Sequence, residues 1–306
     1  MHSYIPGILP AALLLEFSRT AFSMSIAGAA LIAIALWFAK DAFADASGLN
    51  RIVALANLCL GAPLAVFGAE HLSGARFIMG LVPPYMPWRL FITYFVGVAL
   101  IAAALSIATK IAVRWSGLLF GIMMVLFVAM IHLPGALQSH GDRFIWTIVF
   151  REMGFAAGGW LLATTAISDH AAGKNALYTI GRLLVAVVAI VFGVEHFLHP
   201  TGVPGVPLEK LMPTWVPAGA FVDYLTGAIE VVAGFMILLA RKTRLAAAYL
   251  GTWILLTVIV IYGPILITSL LNPSTAVRVE GLNYFFDTLL FAGEILALAS
   301  ATPQPA

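Results

Sequence analysis

Five carboxylates sit in or beside long apolar runs in the second half of this 306-residue chain: Glu195, Asp223, Glu230, Asp287 and Glu294. An ionised side chain at bilayer depth is costly unless it faces protein, a partner or water, so each is a candidate for function. Asp223 and Glu230 are seven positions apart, as are Asp287 and Glu294. On a helix each pair shares one face, its members roughly 10 Å apart along the axis. Carboxylates that share low-dielectric space cannot all ionise cheaply, and at least one is expected to keep its proton near neutrality. Such a group can donate to a ligand carbonyl, relay protons or help hold a cation. Glu230 and Glu294, the deeper member of each pair, are the expected catalytic, proton-handling residues. Glu195, His196, Asp223, Asp287, Tyr224 and Trp215 are the expected substrate contacts, around one acid-lined cavity. The competing reading makes the deep acids packing residues that join helices and the aspartates helix caps.

Glu195 and His196 belong to "FGVEHF" at 192–197, which repeats "FGAEHL" at 67–72. Adjacent helical residues point about 100° apart, so neither Glu-His pair can chelate a metal alone. Glu195, His196 and His199 could converge if the helix persisted, but Pro200 argues against that and Gly74 stands at the equivalent place in the first half, so no metal site is expected. Within each pair, Glu is expected to face the protein and His the surface.

Composition says what must position these groups. Hydrophobic residues make up 62% of the chain and charged residues 10%, and mean hydropathy is +1.01, which lies within the range of proteins solvated by lipid. The first residues lack the basic region and cleavage site of a secretory signal, so the whole chain is read as mature. The single cysteine, Cys59, lies in an apolar run and is expected to be inert packing. Sixteen cations without a basic run give no nucleic-acid footprint. About 20 apolar residues cross about 30 Å of hydrocarbon as a helix. Nine such spans are expected, near 20–39, 51–71, 90–109, 112–133, 144–167, 177–198, 219–240, 244–264 and 282–300. Residues 8–16 are too short to cross and suggest an interfacial segment or an extension of the first helix. Nine Lys and Arg residues flank one side, Lys174 among them, against six on the other. The positive-inside rule then puts the N-terminus outside and the C-terminus in the cytoplasm of a multi-pass protein of the cell membrane, expected to be a bacterial inner membrane.

The likeness between halves extends beyond the Glu-His motif. After a five-residue insertion in the second copy, "LVPPYMP" (81–87) aligns with "LMPTWVP" (211–217), Tyr94 and Gly97 with Tyr224 and Gly227, "IHLP" (131–134) with "IYGP" (261–264), and Glu152 with Asp287. The fold class expected is therefore an all-α membrane protein with two parallel four-helix repeats and one extra N-terminal helix. The corresponding domains are 1–45, 46–172 and 173–306. The Pro-x-x-x-Pro loops should interrupt the chain at the membrane surface or dip in as a hairpin, and Tyr85, Trp88 and Trp215 suit the aromatic belt or a lid.

Taken together, F-G-x-E-H-F/L, L-x-P-x-W/Y-x-P and "YLTGAIEVVAGFMILLARKTRLAA" (224–247) resemble the DoxX-like family of four-span membrane proteins, fused here in tandem. The second copy matches over about 176–300, with its Y-x-x-G-x-x-E-x-x-x-G signature complete at Tyr224, Gly227, Glu230 and Gly234; Leu100 and Ala104 replace the last two in the first copy. Some DoxX-like proteins are membrane subunits of quinone-linked oxidoreductases. The resemblance therefore implies a bound quinone or lipid and a soluble or membrane redox subunit as partner. The chain itself has no haem, flavin or iron-sulfur signature, so electrons would come from elsewhere.

Arg151 is the one cation well inside a span, beside Glu152. Since neighbours on a helix do not face each other, it is expected to reach Glu70, making Glu70, Arg151 and Glu152 a structural, neutralised counterpart of the acid site. Two further functions fit the sequence: a proton-coupled carrier for a small cation or polar solute, and a lipid-binding or assembly protein whose acids only order the bundle. Parallel repeats and helices without conspicuous breaks count against the carrier.

Overall fold

In lipid a chain must satisfy its own backbone polar groups, and this chain does so as helices. The computed structural model describes residues 11–166 and 175–303, which contain nine long helices. They are α1 (Ala11–Asp45), α2 (Leu49–Ser73), α3 (Arg89–Thr109), α4 (Val113–Gln138), α5 (Arg143–Thr165), α6 (Ala176–Leu198), α7 (Gly219–Leu238), α8 (Thr243–Leu270) and α9 (Thr275–Ala301). Eight of them are long and apolar enough to cross a membrane, and the protein is an all-α multi-pass membrane protein. The expected ninth span, α5, has 23 residues, about 34 Å at 1.5 Å per residue, but Arg151 and Glu152 dilute its apolar character. It nonetheless runs antiparallel along α4, with Gly159 against Gly117 and Ala156 against Gly121. The short segment ahead of the first span is settled from Ala11 onward, because α1 is continuous to Asp45. Residues 8–10, Lys174 and the boundary drawn at 172/173 lie outside the described residues.

Backbone irregularities recur 130 positions apart. Trp88, Lys110 and Ala112 have positive φ, and so do Ala218, Ala240 and Lys242. Each non-glycine residue in that conformation costs roughly 1–2 kcal/mol, which the tight connections into α3, α4, α7 and α8 impose in both halves. The helical ladder also widens to a π turn at Val128–His132 and again at Val258–Tyr262. The cause is local, since Pro134 and Pro264 follow at once and a proline cannot bond to, and clashes with, the carbonyl four residues back. In the first half that carbonyl, Met130 O, accepts the Tyr85 hydroxyl at 3.3 Å. Both helices continue through the π turn, over Val113–Gln138 and Thr243–Leu270. The Pro-x-x-x-Pro loops are successive turns, with Met86 N–H donating to Pro83 O and Val216 N–H to Pro213 O, and Tyr85, Trp88 and Trp215 exposed.

Within each half, α2–α5 and α6–α9, the first helix packs with the second and the third with the fourth, so α2 pairs with α3, α4 with α5, α6 with α7 and α8 with α9. The halves join through α9, which lies against α1, α2, α5 and α8, while α5 also packs on α6. With 83% of its apolar window buried, α9 is the most enclosed span, so Asp287 and Glu294 lie in protein and not in lipid.

Candidate functional site

The last turns of α6 bring His196 to α7. Glycines make this possible: a Cβ on Gly193 would lie 2.7 Å from Gly227 O, so the two backbones touch and the imidazole spans the gap. His196 Nδ1 is 2.9 Å from Asp223 Oδ1 and Nε2 is 3.6 Å from Glu230 Oε2, with all three side chains essentially fully buried. The seven-residue spacing therefore does place both acids on one face. The expected split of the Glu-His pair is reversed here, with His196 inward and Glu195 partly exposed, because two carboxylates on α7 hold the ring. Apart from these contacts with the imidazole, no carboxylate oxygen of Asp223 or Glu230 has a hydrogen-bond partner. Neither aspartate is a cap: Asp223 and Asp287 lie inside α7 and α9.

A loop that sequence reasoning registered only as an insertion covers this centre. Residues 203–208 are buried, closed behind by a bridge between Gly202 and Leu211. Gly205 N and O both lie 3.1 Å from His196 Nε2. A neutral ring protonated on Nδ1 accepts from the Gly205 N–H, whereas a doubly protonated ring donates to Gly205 O, so the same peptide can serve either state. Tyr262 donates to Pro204 O at 3.0 Å and Arg143 to Pro207 O at 2.8 Å, fixing the loop to both halves.

Asp287 and Glu294 belong to a second place, so the single five-acid cavity is corrected. Arg151 pairs with Asp287 at 2.7 Å and with Glu152 at 2.8 Å. It does not pair with Glu70, whose Oε1 accepts from Asn283 Nδ2 at 3.1 Å. The guanidinium fork is long and wide enough to curl back to its own neighbour while reaching α9, which the rule of non-facing neighbours overlooked. Glu294 is fully buried in a groove of α5, where Cβ atoms on Gly154 and Gly158 would lie 2.5 and 2.6 Å from its side chain. Neither of its oxygens has a hydrogen-bond partner.

Glu195 makes a third environment, 3.4 Å from Arg143 and 3.8 Å from His199 at a cavity between α5 and α6. Tyr224 and Trp215 join none of the three: Tyr224 is exposed and stacks on Phe197 at 6.0 Å, and Trp215 is exposed. Tyr224 follows Asp223 on the helix, so with Asp223 facing in, it faces out. In the first half Thr93 and Leu100 replace the two acids, and His71 turns back to the Phe67 carbonyl at 2.7 Å. Among the described residues no group of three or more His, Cys, Asp and Glu side chains is arranged to hold a metal ion, and Cys59 is free and buried.

Residues 177–263, which include His196, Asp223 and Glu230, match the family model described as DoxX. This stretch is similar to DoxX domains. The match is shorter than the resemblance over 176–300 and ends before Asp287 and Glu294. An uncharacterized membrane protein of Mycobacterium tuberculosis (strain ATCC 25618 / H37Rv), Rv3486, is 33% identical over 114 residues, covering 37% of this chain. The chain spans 63% of that relative's length. No solved structure matches the chain. The His-Asp-Glu centre thus lies wholly within the stretch that matches the DoxX model, whereas the Arg151 cluster joins that half to the other.

Proposed function

We propose that the protein is a quinone-binding membrane subunit that works with a separate oxidoreductase component, with Glu230 and Glu294 handling protons. The observation that carries this reading is His196, held between Asp223 and Glu230 inside the stretch that matches the DoxX model, with the carboxylate oxygens otherwise free of hydrogen bonds. Quinone reduction takes up a proton for each electron, and an imidazole in contact with two buried carboxylates can pass one on with little rearrangement. Electrons come from the partner. The excess of Lys and Arg in the loops of one side supports an orientation in a bacterial inner membrane with the N-terminus outside, the C-terminus cytoplasmic and the His196 end of the bundle toward the outer face. Glu230→Gln is expected to abolish quinone-dependent activity of the native membrane without loss of the inserted protein. Unchanged activity would refute the reading.

A proton-coupled carrier is the second reading, favoured by the π turns at Val128–His132 and Val258–Tyr262, since single π turns inside helices frequently mark functional sites. Solute uptake into proteoliposomes that ignores both a pH gradient and Glu294→Gln would remove it.

A further inference from the structure

A cavity of about 280 Å³ opens where the first turns of α5 meet the end of α6. Its polar end is formed by His140, Arg143, Glu195 and His199 beside Gly141, and Trp146, Thr147, Phe150 and Val191 line the rest. Along α5 the lining runs from Arg143 through Trp146 to Phe150, and along α6 from His199 through Glu195 to Val191. Both stripes pass from charged at the helix ends to apolar one or two turns inward. An amphiphile has this polarity, with a charged head and a tail that continues toward hydrocarbon.

The charges narrow the head group. Arg143 meets Glu195 through one long contact of 3.4 Å, and the two side chains remain 30% and 21% exposed. A satisfied bidentate pair would have two contacts near 2.8 Å, so the fork and the carboxylate both keep bonding capacity. A cation and an anion side by side complement a zwitterion: the guanidinium suits a phosphate, and Glu195 suits an ammonium, which Trp146 and Phe150 can also support through their ring faces. Ligand pockets commonly hold about 300–1,000 Å³, so this one has room for a head group but not for acyl chains.

We infer that this cavity binds the head group of a zwitterionic phospholipid with a primary ammonium, phosphate on Arg143 and ammonium on Glu195. A primary ammonium donates hydrogen bonds to the carboxylate, which a quaternary one cannot do. A free phosphate-ammonium zwitterion offers the same head chemistry, but the apolar stripe on each helix favours the lipid. The site touches the loop over His196 through Arg143, which donates to Pro207 O at 2.8 Å, but it does not depend on quinone chemistry.

The test is native mass spectrometry of the full chain, extracted from vesicles of phosphatidylethanolamine, phosphatidylcholine and phosphatidylglycerol in equal parts with identical acyl chains. The unaltered protein should retain one phosphatidylethanolamine about tenfold in preference to phosphatidylcholine, the factor that a difference of about 1.4 kcal/mol gives. Glu195→Gln should bring the two level, and Arg143→Gln should lower retention of all three, with thermal unfolding followed to confirm that each variant is folded. Equal retention by the unaltered protein, or a preference that survives Glu195→Gln, overturns the assignment. Retention of free phosphoethanolamine with no phosphatidylethanolamine retained, when both are supplied, overturns the lipid as its source. Glu230→Gln should leave the lipid preference intact, so failure of the quinone reading and failure of this one are separable.

Discussion

Arg151 of α5 and Asp287 of α9 meet at 2.7 Å across the seam between the two halves of the chain. Glu152, which aligns with Asp287 in the sequence, shares the same guanidinium at 2.8 Å. One cation therefore serves two acids on two parallel helices. Removing it leaves both buried without compensation, a loss of about 3–5 kcal/mol. Arg151→Met should lower the midpoint of thermal unfolding in detergent markedly, and adding Glu152→Leu and Asp287→Leu should restore most of it. An unaltered midpoint in Arg151→Met would show that the seam does not depend on this cluster.

The loop over His196 offers a second test. Gly205 has φ +106°, and a Cβ there would lie 3.0 Å from the Thr288 methyl group. A side chain is strained in that conformation by about 1–3 kcal/mol. Gly205→Ala should loosen the 199–212 segment, seen as faster proteolysis there and faster modification of His196 by diethylpyrocarbonate. Protection equal to the unaltered protein would mean that the loop does not shield the ring.

These two sites differ in how far the sequence exposed them. Helices, halves and the Asp223–Glu230 face follow from hydropathy, repeats and seven-residue spacing, which are properties of one helix or of a self-alignment. The direction of His196 does not, because it depends on what the facing helix carries: two acids on α7 draw it in, while Thr93 and Leu100 leave His71 to the Phe67 carbonyl of its own helix. Arg143 was legible only as a loop cation, since its partners Glu195 and Pro207 are 52 and 64 positions away. The five-residue insertion was the one sequence signal of the covering loop, and pairing it with His196 required the fold.

Asn283 and Glu70 form another polar contact between the halves, at 3.1 Å. Asn283→Leu removes the donor and leaves a buried oxygen unsatisfied, which costs about 1–3 kcal/mol. Glu70→Gln keeps an acceptor for the same amide and should be nearly neutral. Thermal unfolding of the two variants checks the order; a larger loss from Glu70→Gln would mean that the carboxylate is needed as a charge.

The groove that holds Glu294 can be tested without touching the acid first. A Cβ at Gly158 would lie 2.6 Å from Glu294 Cβ and 3.0 Å from its Cα, so the α9 backbone itself would have to move. Overpacking of that kind costs about 1–3 kcal/mol. At Gly154 the nearest atom is the carboxyl oxygen of Glu294, at 2.5 Å, which can swing aside about its side-chain torsions. Gly158→Ala should therefore destabilise more than Gly154→Ala. In combination with Glu294→Ala the cost at Gly154 should vanish, because the clashing carboxyl is gone, while the cost at Gly158 should persist, because Cα and Cβ remain. A double-mutant cycle on unfolding midpoints reads both couplings, and equal coupling at the two glycines would contradict the placement of Glu294 in this groove.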